Sequence, residues 1–184
     1  MSSSTVLKAQ EALGGFTQAI ISGSGSNLLL CYQCQKCTSG CPVVEWMDLT
    51  PAQLIHFIKM SLKDKVIRSK TPWICAACKA CTTRCPQGID IAKVMDEVRK
   101  YSLKEGVQPP EPDTAALYES MRDNIMLFGR MFEALLVMEL KLKTGEYTRD
   151  LKLGFEMLKK GKLRIFPSIP GKMGSFRRIF WKAR

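Results

Sequence analysis

The sequence holds a single histidine, His56, and aromatic residues make up only 8% of it. One histidine excludes a two-histidine Rieske-type centre. No G-x-G-x-x-G turn and no P-loop occurs, so neither a Rossmann dinucleotide site nor a nucleoside triphosphate site is encoded. No conspicuous His/Ser/Asp set offers nucleophilic catalysis. Long apolar runs are missing too: the best stretch, Ala134 to Leu140, contains Glu139 and follows Glu133, far short of the ~18 apolar residues of a membrane span. The N-terminus lacks the charged-then-apolar pattern of a secretory signal. A cytoplasmic location without a transmembrane segment is expected, and there thiols stay reduced, so eight cysteines argue for metal binding over disulfides.

Strand-like alternation is also absent, which predicts a mainly α fold. Ten methionines supply adaptable filling for helix interfaces. Thr50-Pro51-x-Gln53 reads as a capping box with proline at the first helical position. It opens an amphipathic helix over about 51–64, with Leu54, Ile55, Ile58, Leu62 and Val66 on one face and His56 off that stripe toward solvent. Asp90 caps a second helix whose Ile91, Val94, Met95 and Val98 share a face, and Gly106 stops it. A short amphipathic helix is expected within residues 5–21, followed by Ser22-Gly23-Ser24-Gly25-Ser26 as a flexible connector. Beyond the rigid Gln108–Pro112 segment, a helical pattern runs from Thr114 to Lys143 with a break near Gly129, then a shorter one over 148–160. The expected organisation is residues 1–27 as an N-terminal extension and linker, 28–106 as the chemistry-bearing domain, and 107–184 as a helical C-terminal region with a basic tail.

The net charge of +11 sits mostly in that tail, because Leu151–Arg184 contains ten Lys/Arg and one acid, 10 − 1 = +9. Phe176, Ile179, Phe180 and Trp181 are interleaved with its cations. Docking to a partner protein ranks first for such a segment, membrane contact second, and nucleic acid a distant third, so no nucleic-acid partner is assigned.

The dominant feature is a repeat. Cys-x2-Cys-x2-Cys-x3-Cys-Pro occurs twice, as CYQCQKCTSGCP from Cys31 and CAACKACTTRCP from Cys75, 44 residues apart, and uses all eight cysteines. Three closely spaced thiolates can wrap one side of a [4Fe–4S] cube, and the cysteine of the trailing Cys-Pro closes the cube of the other motif in two-cluster ferredoxins. One cluster would then take Cys31, Cys34, Cys37 and Cys85, the other Cys75, Cys78, Cys81 and Cys41. Two tetrahedral zinc sites are the competing reading, since Cys-x2-Cys also suits zinc. Zinc sites, however, use paired cysteines separated by longer loops. Lys65, Arg68, Lys70, Lys79 and Arg84 surround the second motif with no acid between Asp64 and Asp90, which suggests a higher potential for the second cluster or, equally, a basic docking face. No cysteine is left over to act as a nucleophile, so the reading is a relay of single electrons.

The two motifs, with CPQGIDI leading into a helix, resemble the C subunits of heterodisulfide reductase from methanogenic archaea, over roughly residues 28–105. The resemblance implies an α-helical ferredoxin-type dicluster core with a helical C-terminal extension and two [4Fe–4S] clusters. It also implies a non-catalytic place in an oxidoreductase complex, with the A and B subunits of heterodisulfide reductase as partners. Electrons would pass from the A-type partner, which carries flavin and iron–sulfur groups, to the B-type partner, whose CCG motifs serve reduction of the coenzyme M–coenzyme B disulfide. A soluble electron-bifurcating assembly of methanogenesis with a hydrogenase or formate dehydrogenase is implied as well. The same module serves glycerol-3-phosphate, glycolate and succinate dehydrogenases, which stand as the alternative. A zinc-stabilised basic binding module is the second alternative.

Overall fold

A computed structural model of the chain describes residues 14–145, 154, 156–157 and 159–161. Its helices are α1 (Gly15–Ser24), α2 (Lys36–Ser39), α3 (Pro51–Lys59), α4 (Lys63–Ile67), α5 (Thr71–Ile74), α6 (Ala80–Arg84), α7 (Ile91–Lys104), α8 (Pro112–Phe128) and α9 (Glu133–Thr144). Among the described residues there is no strand, and the fold is mainly α as expected. No helix is long and apolar enough to cross a membrane. The chain divides into two compact units, Met1–Glu111 and Pro112–Arg184. Residues 5–13 of the expected N-terminal helix, most of the 148–160 helix and the aromatic–basic tail lie outside the described residues.

In the first unit α7 is the central element, touching α1, α4, α5 and α6, while α3 packs on α1, α2 and α4. The reason is the apolar stripe of each helix. Leu54, Ile55 and Ile58 of α3 are fully buried with Val94, Met95 and Val98 of α7. Both helices start where the sequence says. Thr50 and Gln53 form a reciprocal capping box, and the Asp90 carboxylate accepts from the Lys93 N–H at 3.3 Å.

Two segments depart from expectation. The helix from Pro51 ends at Lys59 rather than near 64, and Leu62 is exposed. Ser61 takes φ +54°, the Leu62 N–H bonds the Phe57 carbonyl, and the Ser61 N–H bonds that of Ile58. This is a Schellman ending with serine in the place glycine usually takes. Thr17 of α1 holds it: its hydroxyl donates to the Ile58 carbonyl at 2.5 Å and pairs with the Ser61 hydroxyl at 2.8 Å. A tertiary contact therefore overrides the periodicity. His56, expected toward solvent, is half-buried beside Phe57.

The Gly/Ser stretch is likewise no loose connector. Ser22–Ser24 finish α1, and Gly25 closes it at φ +64°. Ser26 is buried, and its hydroxyl accepts from the Asp90 N–H at 3.2 Å. Gly23 is where α1 meets α7 closely, because a Cβ there would stand 2.5 Å from a Glu97 carboxylate oxygen. Small residues are used here for close approach, not for flexibility.

In the second unit α8 and α9 pack on each other. The break near Gly129 is closed by Asn124, fully buried, which donates to the Phe132 carbonyl at 2.9 Å and accepts its N–H at 2.7 Å.

Asp48 ties the exit of the first motif to the entry of the second. Its carboxylate accepts from the Ser69 hydroxyl at 2.7 Å, the Thr71 hydroxyl at 2.8 Å, and the Lys70 and Thr71 N–H groups at 3.1 Å. Burial alone would raise its pKa, but the hydrogen bonds from Ser69, Thr71 and Lys70 outweigh it and hold the carboxyl below its ordinary value. A depressed carboxylate stabilises the fold fully above its unfolded pKa and loses that contribution as pH falls through the folded one. Asp48→Asn is expected to lower the anaerobic melting temperature at neutral pH. The gap to the wild type should narrow as pH drops below the ordinary aspartate range; a gap independent of pH would contradict this role.

Candidate metal centre

The two cysteine motifs fold alike. Each loop carries two residues in the left-handed region, Gln33 (φ +61°) and Gln35 (φ +60°) in the first, Ala77 (φ +51°) and Lys79 (φ +60°) in the second. The pairs are related by the same 44-residue offset as the cysteines. They account for four of the five non-glycine residues with positive φ among the described residues. Backbone held this way costs of order 1–3 kcal/mol per residue and persists where the surroundings require it. Successive turns between right- and left-handed backbone aim N–H groups into a concavity suited to negative charge. A short helix follows in each case, α2 after the first pair and α6 after the second, and the two helices pack on each other.

The loops enclose two hollows. One, about 340 Å³, is lined by Cys31, Cys34, Cys37 and Cys85, with Ala52, Ile55, Ile89 and Ile91 behind them. The other, about 370 Å³, is lined by Cys75, Cys78, Cys81 and Cys41, with Pro42, Val43, Ala92 and Met95. Each hollow thus meets three cysteines of one motif and the last cysteine of the other. Cys34 and Cys78, the middle members of each triplet, are exposed; Cys37 is buried. Among the described residues no three Cys, His, Asp or Glu side chains are gathered as ligands of a single ion. The thiols ring a space instead, and that donor set fits a polynuclear iron–sulfur group with apolar backing.

Burial pushes the Cys37, Cys75 and Cys81 thiols up. Hydrogen bonds from Thr38 and Thr82 oppose this at Cys37 and Cys81, and the Ala77 N–H and then the Arg99 charge oppose it at Cys75. Such thiols are protonated when free, and a coordinating metal deprotonates them outright. No histidine or carboxylate lines either hollow to compete.

The supporting residues were less visible in the sequence. Thr38 and Thr82 each follow the third cysteine of their motif, and each bonds the start of the next long helix. The Thr38 hydroxyl accepts from the Ala52 N–H at 3.2 Å, and that of Thr82 donates to the Asp90 carboxylate at 3.0 Å. Aligning the two copies of the repeat singles out this threonine pair. Lys59 has no such signal; its ammonium donates to the Cys31 carbonyl at 2.8 Å.

Comparison with known proteins matches these features. Residues 30–90 match the family described as 4Fe-4S dicluster domain. The chain is a helical two-cluster iron–sulfur protein carrying two [4Fe–4S] clusters. It is, further, similar to the C subunits of heterodisulfide reductase. It is 33% identical over 95 residues to the C subunit of the H(2):CoB-CoM heterodisulfide,ferredoxin reductase of Methanothermobacter marburgensis, covering 52% of this chain and 51% of that one. To the iron–sulfur C subunit of the CoB–CoM heterodisulfide reductase of Methanopyrus kandleri it is 33% identical over 76 residues, 41% and 40% of the two chains. To the C2 subunit of the H(2)/formate:CoB-CoM heterodisulfide,ferredoxin reductase of Methanococcus maripaludis it is 26% identical over 121 residues, 61% and 65%. The chain spans about half the length of most of the curated relatives it matches.

The backbone strain gives a test of the loops. Ala77→Gly is expected to keep full iron loading, because glycine adopts φ +51° freely. Ala77→Val places a β-branched side chain where it is a genuine outlier, and iron per chain after anaerobic reconstitution should fall. Equal loading of the two variants would contradict the need for this conformation.

Proposed function

We propose that this chain is an electron-transfer subunit of a heterodisulfide reductase complex, relaying single electrons through its two clusters. The single observation that carries this reading is the pair of cysteine-lined hollows backed by apolar residues, with no other reactive group lining them. Each cluster, when bound, takes up and gives back one electron. In this reading Cys31, Cys34, Cys37 and Cys85 hold one cluster and Cys75, Cys78, Cys81 and Cys41 the other. Ala52, Ile55, Ile89 and Ile91 behind the first and Val43, Ala92 and Met95 behind the second keep water away. The exposed Cys34 and Cys78 bring one corner of each site to the surface, where an electron enters or leaves.

The relatives' names point to the assembly. Electrons would come from the A-type partner of heterodisulfide reductase, with its flavin and iron–sulfur groups. They would go to the CCG-containing B-type partner for reduction of the coenzyme M–coenzyme B disulfide. The setting would be a cytoplasmic, electron-bifurcating complex with a hydrogenase or formate dehydrogenase, without nucleic acid. Exposed Leu127, Met138 and Leu142 on the α8–α9 hairpin offer apolar surface for such partners.

Anaerobically purified protein is expected to be brown, with about eight irons and eight sulfides per chain, and to retain a CCG-containing protein in a pull-down from its native source. A colourless protein with two zincs would overturn the cluster reading; a membrane-anchored dehydrogenase as the partner would overturn the assembly. For the ligands, Cys85→Ser is expected to alter the EPR signal of the cluster on the first motif, and Cys41→Ser that of the second. Each serine altering its own motif's cluster would contradict the exchange.

A further inference from the structure

The repeat offset pairs Gly40 with Arg84, the residues immediately before Cys41 and Cys85. They touch across the crossing: a Cβ added to Gly40 would fall 2.7 Å from both Cδ and Cζ of Arg84. One copy of the repeat has no side chain at this position, and the guanidinium of the other copy lies over it. Arg84 is therefore one residue along the chain from a cysteine lining the first hollow. It also packs on the residue preceding a cysteine that lines the second. The other cations at the thiols reach one loop each: Lys36 lines the first hollow and Lys79 the second, Lys59 donates to the Cys31 carbonyl, and the Arg99 charge acts on Cys75.

We infer that Arg84 is a shared tuning charge, one guanidinium lying over Gly40 where the two cysteine loops meet, that raises the reduction potential of both clusters together. This rests on the exchanged-ligand reading above. The physics is direct. A cubane with four thiolates is anionic and becomes more so on reduction, so a fixed cation nearby favours the added electron. Arginine suits the place because it cannot lose its proton. Gly40 contributes the space: a Cβ there would meet the Arg84 side chain, which would have to shift.

The test is an EPR-monitored redox titration of the full chain, with iron and sulfide counted on every sample. Arg84→Gln is expected to lower both midpoints, by about threefold to tenfold in the reduction equilibrium, the upper end being about 59 mV for a one-electron couple. Arg84→Lys keeps the charge and should retain most of the wild-type values. Gly40→Ala should lower both midpoints in the wild type, yet leave them unchanged in an Arg84→Ala background, where its effect on the guanidinium is gone. The inference is overturned by midpoints that do not move in fully loaded Arg84→Gln, by a shift confined to one cluster, or by a Lys variant as shifted as the Gln variant. It is equally overturned by an Arg84→Gln protein that cannot load its iron, since Arg84 would then serve folding and not potential. Failure of the wild type itself to show two cubanes would sink the cluster reading instead, so the two failures are distinguishable.

Discussion

The structure depends on one constraint, the crossing of two cysteine loops so that each lends its last thiol to the hollow of the other. A cubane held by Cys31, Cys34, Cys37 and Cys85, as proposed, would cross-link chain segments about fifty residues apart. By the chain-entropy arithmetic used for disulfides, closing a loop of that length restricts the unfolded state by about 4 kcal/mol. Two such links would be a large share of the ~5–15 kcal/mol that stabilises a typical domain. With that exchange, cluster binding would be coupled to folding of the first unit.

Around that crossing the fold is a two-fold arrangement carried by a repeated sequence. Each loop uses the same pair of left-handed residues, the same short helix and the same threonine bonded to the start of the next long helix. The two copies then diverge where they touch. Gly40 and Arg84 occupy equivalent positions and differ, the Arg84 side chain lying over the glycine. Symmetry is kept where the thiols must be aimed and broken where the loops meet.

Much of this was legible in the sequence because it is local. Cysteine spacing encodes chemistry within a dozen residues, and the Thr50 and Asp90 caps are set within a single turn. The illegible parts depend on residues far apart in sequence. Nothing near Ser61 announces a helix end; it is imposed by Thr17, forty-four residues earlier. Ser22–Ser26 has the composition of a linker, yet Gly23 and Ser26 are small because α7 and Asp90 lie against them. The basic residues near the second motif read as its own setting, whereas the Arg84 side chain lies over the first motif's Gly40. Composition describes a segment's neighbours along the chain, and these positions are governed by neighbours in space.

The proposed exchange of thiols between the loops is the central claim. Anomalous diffraction at the iron edge, from crystals grown without oxygen, examines it most directly. The exchange requires two four-iron peaks, with continuous density from Cys85 to the cube of the first motif and from Cys41 to that of the second. Density running instead from each of these cysteines to the cube of its own motif, or peaks of single ions, would contradict it.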